Sequence, residues 1–271
     1  MQIGTVKVFP LLDGITEFPP ALLYPEVSPS ILAGSPGFLN AAGNIELPNG
    51  GFLVRGPAGE VVLFDLGNGP DVTLPKVPGF ALTNLLDGQL LANLDAYGVS
   101  PADVTDVVFT HLHADHVGWA SRDERPTFPA ARHHIHARDW KLFVDGDADP
   151  SVRAIVAPLV GLVDLWDAPE IRLYPWLRLI HAPGHTPGSA IGLIESERES
   201  AMLVGDVFHS LVEVEQPALP GGADTDANAA AKQREQWAAR IEAGHAITFC
   251  PHFPDLAPVT IVAGKAVPVP A

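Results

Sequence analysis

Residues 111–116 read His-Leu-His-Ala-Asp-His. Four side chains able to bind a metal lie within six positions, and a fold containing them must present them together on a rigid support. The stretch follows an apolar, β-branched run from Val104 to Thr110 and precedes Val117-Gly118-Trp119, which reads as a turn into a helix. Imidazole and carboxylate at this density suit zinc and similar borderline divalent ions. The set exceeds what one tetrahedral zinc needs, which points to two metals sharing a site.

A histidine-rich loop on a solvated surface is the plain alternative. Three further segments weigh against it. His185 stands in Ala182-Pro183-Gly184-His185-Thr186-Pro187-Gly188, Asp206 in Val204-Gly205-Asp206-Val207-Phe208-His209, and His252 in Cys250-Pro251-His252-Phe253-Pro254. Each follows a short apolar run, 177–182, 201–205 and 246–250, of the length and composition of a buried strand. Ends of neighbouring strands gather at one edge of a sheet, where sites form. Four segments sharing a strand-then-ligand layout are hard to reconcile with surface decoration.

The set His111, His113, Asp115, His116, His185, Asp206 and His252 resembles the metallo-β-lactamase superfamily of metallohydrolases. Phe64-Asp65-Leu66-Gly67 is similar to that family's early strand ending in Asp, and the resemblance runs from about Gly51 to His252. It implies an α/β fold of αββα type, two mixed β-sheets flanked by helices, in a single domain over 1–271. It also implies two divalent metal ions per chain, with zinc the first choice. One ion would take His111, His113 and His185, the other Asp115, His116 and His252, and Asp206 would bridge them. A hydroxide between the metals would then attack an electrophilic carbonyl or phosphorus centre. Class B β-lactamases of the family generally lack the bridging aspartate. The remaining branch holds acyl-homoserine-lactone lactonases and methyl-parathion-hydrolase-like phosphotriesterases. The expected activity is lactone or ester hydrolysis, with phosphotriester cleavage as the runner-up. A non-catalytic metal-binding sensor is a distant third. Relatives in this branch often pair through N-terminal segments, so a homodimer is a further expectation.

The resemblance leaves individual roles open. Asp115 could orient the nucleophile or return a proton to the leaving oxygen. His209 stands where lactone-cleaving relatives often carry a tyrosine. It either donates a hydrogen bond to substrate or shuttles a proton, or it sits on the rim. Asp65 is either a support for a ligand imidazole or a turn cap, and Thr110 and Thr186 either bond near the ligands or pack at strand ends. Trp119 lines the pocket or the core. His133, His134 and His136 read as ordinary surface or edge-strand residues, and His181 and Cys250 as structural.

Charge narrows the partners. Of 271 residues, 32 are Asp or Glu and 16 are Lys or Arg, a formal net charge of −16. That disfavours nucleic acid, whose phosphates are held by Lys and Arg. One cysteine excludes a disulfide framework. No stretch reads as a membrane span or a signal segment, so a cytoplasmic protein acting on a small molecule is the default.

Along the chain, Val6–Leu12 reads as a first strand. Residues 17–50, rich in Pro, Gly, Ala and Leu, read as an arm or flap near the site mouth, a partner surface, or an irregular wrap. Residues 51–54 and 61–65 predict a hairpin, and the leucine spacing predicts a helix over 82–97. A strand over 132–137, helical segments over 138–144, 152–166 and 229–243, and a final strand from Val259 complete the reading.

Overall fold

A computed structural model describes residues 1–33, 38–70 and 81–270. The first sheet contains β1 (Gln2–Ile3), β2 (Val6–Phe18), β3 (Ile45–Arg55), β4 (Val61–Phe64), β5 (Thr83–Leu86) and β6 (Asp106–Val108). A two-stranded ribbon, β7 (Ser121–Arg122) and β8 (Arg125–Pro126), interrupts before β9 (Arg132–His136) and β10 (Val163–Trp166) return to that sheet. The second sheet holds β11 (Glu170–Tyr174), β12 (Leu177–His181), β13 (Ala190–Ser196), β14 (Glu199–Leu203), β15 (Ile247–Phe249), β16 (Val259–Val262) and β17 (Lys265–Pro268). Both sheets are mixed: β4, β6, β9 and β10 pair parallel in the first, β14 and β15 in the second, and the remaining pairs are antiparallel.

Alternation along the strands decides the layers, because successive side chains leave opposite faces. Phe52, Val54, Val62, Phe64 and Val108 point between the sheets, where they meet Leu177, Leu179, Ile194 and Phe249. Their neighbours Leu53, Leu63 and Val107 point outward onto Leu90, Leu94, Val117 and Val152 from the helices on that side. Ile191, Leu193 and Met202 face the other way, under Trp237 and Ile241 of the helix Ala227–Gly244. The result is the αββα sandwich. No helix among the described residues is long and apolar enough to cross a membrane.

The topology sends the ligand-bearing loops to one edge. β4 and β6 run parallel, so their C-terminal ends lie together. In the second sheet β12 and β14 are each antiparallel to β13, and β15 is parallel to β14, so those three also end on a common side. A backbone bond from Ala190 N–H to Thr110 O, 2.8 Å, joins the two sheets there.

Several local readings change in three dimensions. Only Leu90–Ala96 of the 82–97 segment is helical. Thr83–Leu86 instead pairs with the C-terminal half of β2, and Gly88 at φ +67° separates the two elements. The helix at 150 ends at Val156, followed by a short turn to Leu159, and Val163–Trp166 joins the sheet beside β9. Gly161 at φ +93° makes that reversal. Strand β2 reaches Phe18 and β3 begins at Ile45, so the arm is shorter than 17–50. Residues 34–37 within it lie outside the described residues.

The three histidines of β9 are not on an edge. That strand lies between β6 and β10, and His133, His134 and His136 are all buried. His134 Nε2 meets Asp106 Oδ1 at 2.7 Å, and the Tyr174 hydroxyl donates to the other oxygen of that carboxylate. His136 stacks on His181 with centroids 4.0 Å apart.

His133 stacks on Phe109, and neither ring nitrogen has a hydrogen-bond partner. Burial drives its pKa down to about 4 from the usual 6.5. The unfolded chain therefore protonates this ring at higher pH than the folded one. Its contribution to stability is complete above about pH 6.5 and is lost as the pH falls toward 4. A fall of that size corresponds to about 3 kcal/mol. His133→Phe, which keeps the ring stack, is expected to flatten the stability profile between those pH values. Chemical denaturation across the range measures it, and an unchanged acid slope would contradict the assignment.

Candidate metal centre

Two glycines let the backbone deliver ligands to the shared edge. Gly184 adopts φ +154°, and a Cβ there would lie 2.5 Å from Ala230 N at the start of the long helix. Gly205 adopts φ +51°, and a Cβ would lie 2.5 Å from Thr110 Oγ1. His185 and Asp206 follow them directly. A side chain at either glycine would push a ligand loop off its support.

His111, His113 and His185 converge. His111 Nε2 and His113 Nδ1 are 3.0 Å apart, and His185 Nε2 lies 3.2 Å and 2.8 Å from them. Nitrogens bound about 2.0–2.1 Å from one tetrahedral zinc would be roughly 3.3 Å apart, close to this spacing. Asp115, His116 and His252 form a second group, with His252 Nε2 3.6 Å from Asp115 Oδ2. Asp206 stands between the groups. Its Oδ2 lies 3.4 Å from His185 Nε2 and 3.8 Å from His111 Nε2, while its Oδ1 lies 3.2 Å from both His116 Nε2 and His252 Nε2.

The donor chemistry fits two cations. His116 Nε2, His252 Nε2 and Asp206 Oδ1 are buried and make no hydrogen bond. Buried polar atoms without partners cost about 1–3 kcal/mol each, so a cluster of them calls for an ion. Burial pushes the Asp206 carboxyl up, yet His116, His252, His111 and His209 around it hold it well below the usual carboxylate range. Burial drives His113 down to about 3, aided by His185, and His111 down as well, which leaves lone pairs for a metal.

Three of the ligand rings are backed by an oxygen. Asp65, in the left-handed region at φ +55°, lies with Oδ2 3.0 Å from His116 Nδ1. It also accepts the Thr110 backbone N–H and hydroxyl at 2.8 and 2.7 Å, which fixes the carboxylate beside the ring. Pro48 O lies 2.7 Å from His252 Nδ1, and Asp224 Oδ1 lies 3.2 Å from His185 Nδ1. Such partners fix the tautomer and aim the other nitrogen at the centre.

Sequence reading missed Asp139, Asp224 and Glu213. Asp139 sits in a short helical turn and accepts from Leu112 N–H, Gly188 N–H and the Thr186 hydroxyl. It ties the loop of His111 and His113 to the loop of His185. Burial lifts its pKa to about 6. No motif marks these carboxylates, because Asp139 and Asp224 lie 27 to 49 residues from the groups they hold around the ligand loops. Trp119 belongs to the core, its indole N–H donating to Asp13 Oδ1 at 2.7 Å. Cys250 is buried, its thiol donating to Phe208 O.

A cavity of about 590 Å³ opens beside the centre, with His209 and His252 on its wall. Ile15, Phe38, Ile45, Leu47, Leu211 and Val212 make its apolar side. Three of these, Phe38, Ile45 and Leu47, come from the arm and the strand that follows it.

Comparison with known proteins agrees with this geometry. Residues 51–252 match the family model described as the metallo-beta-lactamase superfamily. The N-acyl homoserine lactonase AttM of Azorhizobium caulinodans is 28% identical over 196 residues, 65% of this chain and 71% of that protein. AttM of Agrobacterium fabrum is 29% identical over the same shares. Among solved structures, AidC, a dizinc quorum-quenching lactonase in complex with a product, superposes with a TM-score of 0.84. It is 23% identical, with 100% of this chain and 96% of that one covered.

Proposed function

This chain belongs to the metallo-β-lactamase superfamily, and from that premise we propose that it is a dinuclear zinc hydrolase that opens N-acyl-homoserine lactones. The single observation that carries the reading is Asp206, whose two oxygens face two different ligand groups. His111, His113 and His185 would hold one ion, and Asp115, His116 and His252 the other. The nitrogen-rich set with carboxylate favours zinc. Two such ions would supply Lewis acidity toward the carbonyl oxygen and lower the pKa of water at the site.

The chain's own residues do the rest. Asp65, Asp224 and the Pro48 carbonyl keep the three supported imidazoles aimed at the centre, so no reorganisation accompanies reaction. Asp115 is the least buried carboxylate of the set, its side chain 29% exposed. It can take a proton from water at Oδ and return it to the leaving ring oxygen. His209 lines the cavity with Nε2 3.4 Å from Asp206 Oδ2, and in this reading it would contact the bound ester. The apolar wall suits an acyl chain. Glu46, Asp255 and the Glu215–Lys265 ion pair also border the cavity, and the net acidic character favours an uncharged substrate over an anion.

The test is a pH-indicator assay on zinc- and manganese-loaded protein. Short- and long-chain acyl-homoserine lactones run beside γ- and δ-lactones, an aryl ester and methyl parathion. Expected is a kcat/KM for acyl-homoserine lactones at least about 100-fold above the aryl ester and the phosphotriester. Phosphotriester turnover with inert lactones would overturn the reading in favour of a phosphotriesterase.

A further inference from the structure

The wall that carries His209 holds a buried carboxylate that the site described so far leaves without a role. Glu213 lies one helical turn on, in the helix Leu211–Glu215, and its side chain is fully buried. Its two oxygens lie 3.2 and 3.3 Å from His209 Nδ1. The nearer one also accepts the His209 backbone N–H at 2.6 Å. One carboxylate thus grips both the ring and the backbone of one residue. At the far end of the ring, Nε2 is buried, makes no hydrogen bond and lies 3.4 Å from Asp206 Oδ2.

Glu213 is itself fixed. Its backbone N–H donates to Ser210 Oγ, and that oxygen lies 2.8 Å from the Tyr24 hydroxyl of the arm. Tyr24 and Ser210 are both buried. An ionised carboxylate only accepts hydrogen bonds. Beside Nδ1 it therefore keeps a proton on that nitrogen and turns Nε2 toward Asp206 and the centre.

We propose that Glu213 is a positioning residue for His209, clamping the imidazole through Nδ1 so that Nε2 faces the reacting ester. The role rests on the hydrolase reading of the cavity. It requires no proton to enter or leave the ring: the carboxylate sets where the ring points and which nitrogen is free. A cap serving only the short helix would not need to reach the ring at all, since Ser210 already caps it.

The experiment compares wild type, Glu213→Ala, Glu213→Gln, His209→Ala and the double variant Glu213→Ala/His209→Ala, all zinc-loaded. Kinetics on an acyl-homoserine lactone are read with metal content and 15N-histidine NMR. Glu213→Ala is expected to lower kcat about 10–100-fold with little change in KM and two zinc ions retained. Glu213→Gln, whose amide oxygen still accepts from Nδ1, should recover most of the loss. The double variant should be no slower than His209→Ala alone. The NMR signature of a proton fixed on Nδ1 should be present in wild type and absent in both His209→Ala and Glu213→Ala. Additive losses, or an Nδ1 signal unchanged in Glu213→Ala, would overturn the proposal. Should Glu213→Ala not fold, Glu213→Gln carries the same test, since loss of the fixed Nδ1 proton there contradicts retained hydrogen bonding. If wild type leaves lactones untouched, the lactonase reading fails, and the NMR comparison still decides the clamp.

Discussion

Asp206→Asn is expected to lower lactone hydrolysis by at least about 10²–10³-fold, the range for losing one strong electrostatic partner of the reaction. The same variant should bind less than two metal ions per chain. The amide keeps the shape of the side chain but removes its charge and turns one oxygen into a donor. One face of Asp206 then offers N–H groups either to His116 and His252 or to His185 and His111, whichever oxygen is replaced. Neither orientation leaves an acceptor toward both groups. Two dications held close also lose an anion between them, in a buried setting where charges are weakly screened. Metal analysis after dialysis, together with kcat/KM, measures both effects. Full occupancy with full activity would mean that Asp206 does not join the two groups.

Arg234→Ala is expected to destabilise the protein by about 3–5 kcal/mol, the cost of breaking a buried ion pair from one side. The Arg234 side chain is completely buried in the middle of the long helix. It donates to Asp224 Oδ2 at 3.0 Å and to the carbonyls of Pro217 and Leu219 at 2.9 and 2.8 Å. Removal leaves Asp224 Oδ2 and the carbonyls of Pro217 and Leu219 without the guanidinium that serves them. The effect should reach the site, because Asp224 also faces His185 Nδ1. Metal affinity is therefore expected to fall about 10–100-fold, as for other outer partners of a ligand imidazole. Denaturant melts and competitive chelation separate the two losses. Asp224→Asn keeps an acceptor toward His185 or toward Arg234 but not both, and should be the milder change because one of the two contacts survives. A melt for Arg234→Ala within about 1 kcal/mol of wild type would contradict the buried pair.

Much of the molecule is legible in the chain. His111, His113, Asp115 and His116 crowd into one turn, and local density alone marks them. His185, Asp206 and His252 follow apolar runs that read as buried strands, and each does end at the shared edge. Burial of an apolar run is a strong and local signal. The amphipathic helix expected over 229–243 forms as Ala227–Gly244, where Asp226 caps the start by accepting the Ala229 N–H.

Tertiary structure overrode local spacing elsewhere. Leucines over 82–97 repeat as in a helix, but Thr83–Leu86 gains backbone partners only when the far end of β2 is present beside it. The three histidines of β9 look polar enough for a surface, yet pairing with β6 on one side and β10 on the other buries them. Sequence thus determined which residues could bind metal and which strands would carry them, because ligand chemistry and apolar periodicity are properties of short stretches. Only the folded chain decided that Asp206 turns one oxygen to each ligand group, that Asp139 joins two ligand loops, and that Glu213 backs His209. Those carboxylates act through atoms brought within hydrogen-bond reach by sheet pairing and helix packing, and spacing along the chain carries no record of where a carboxylate will point.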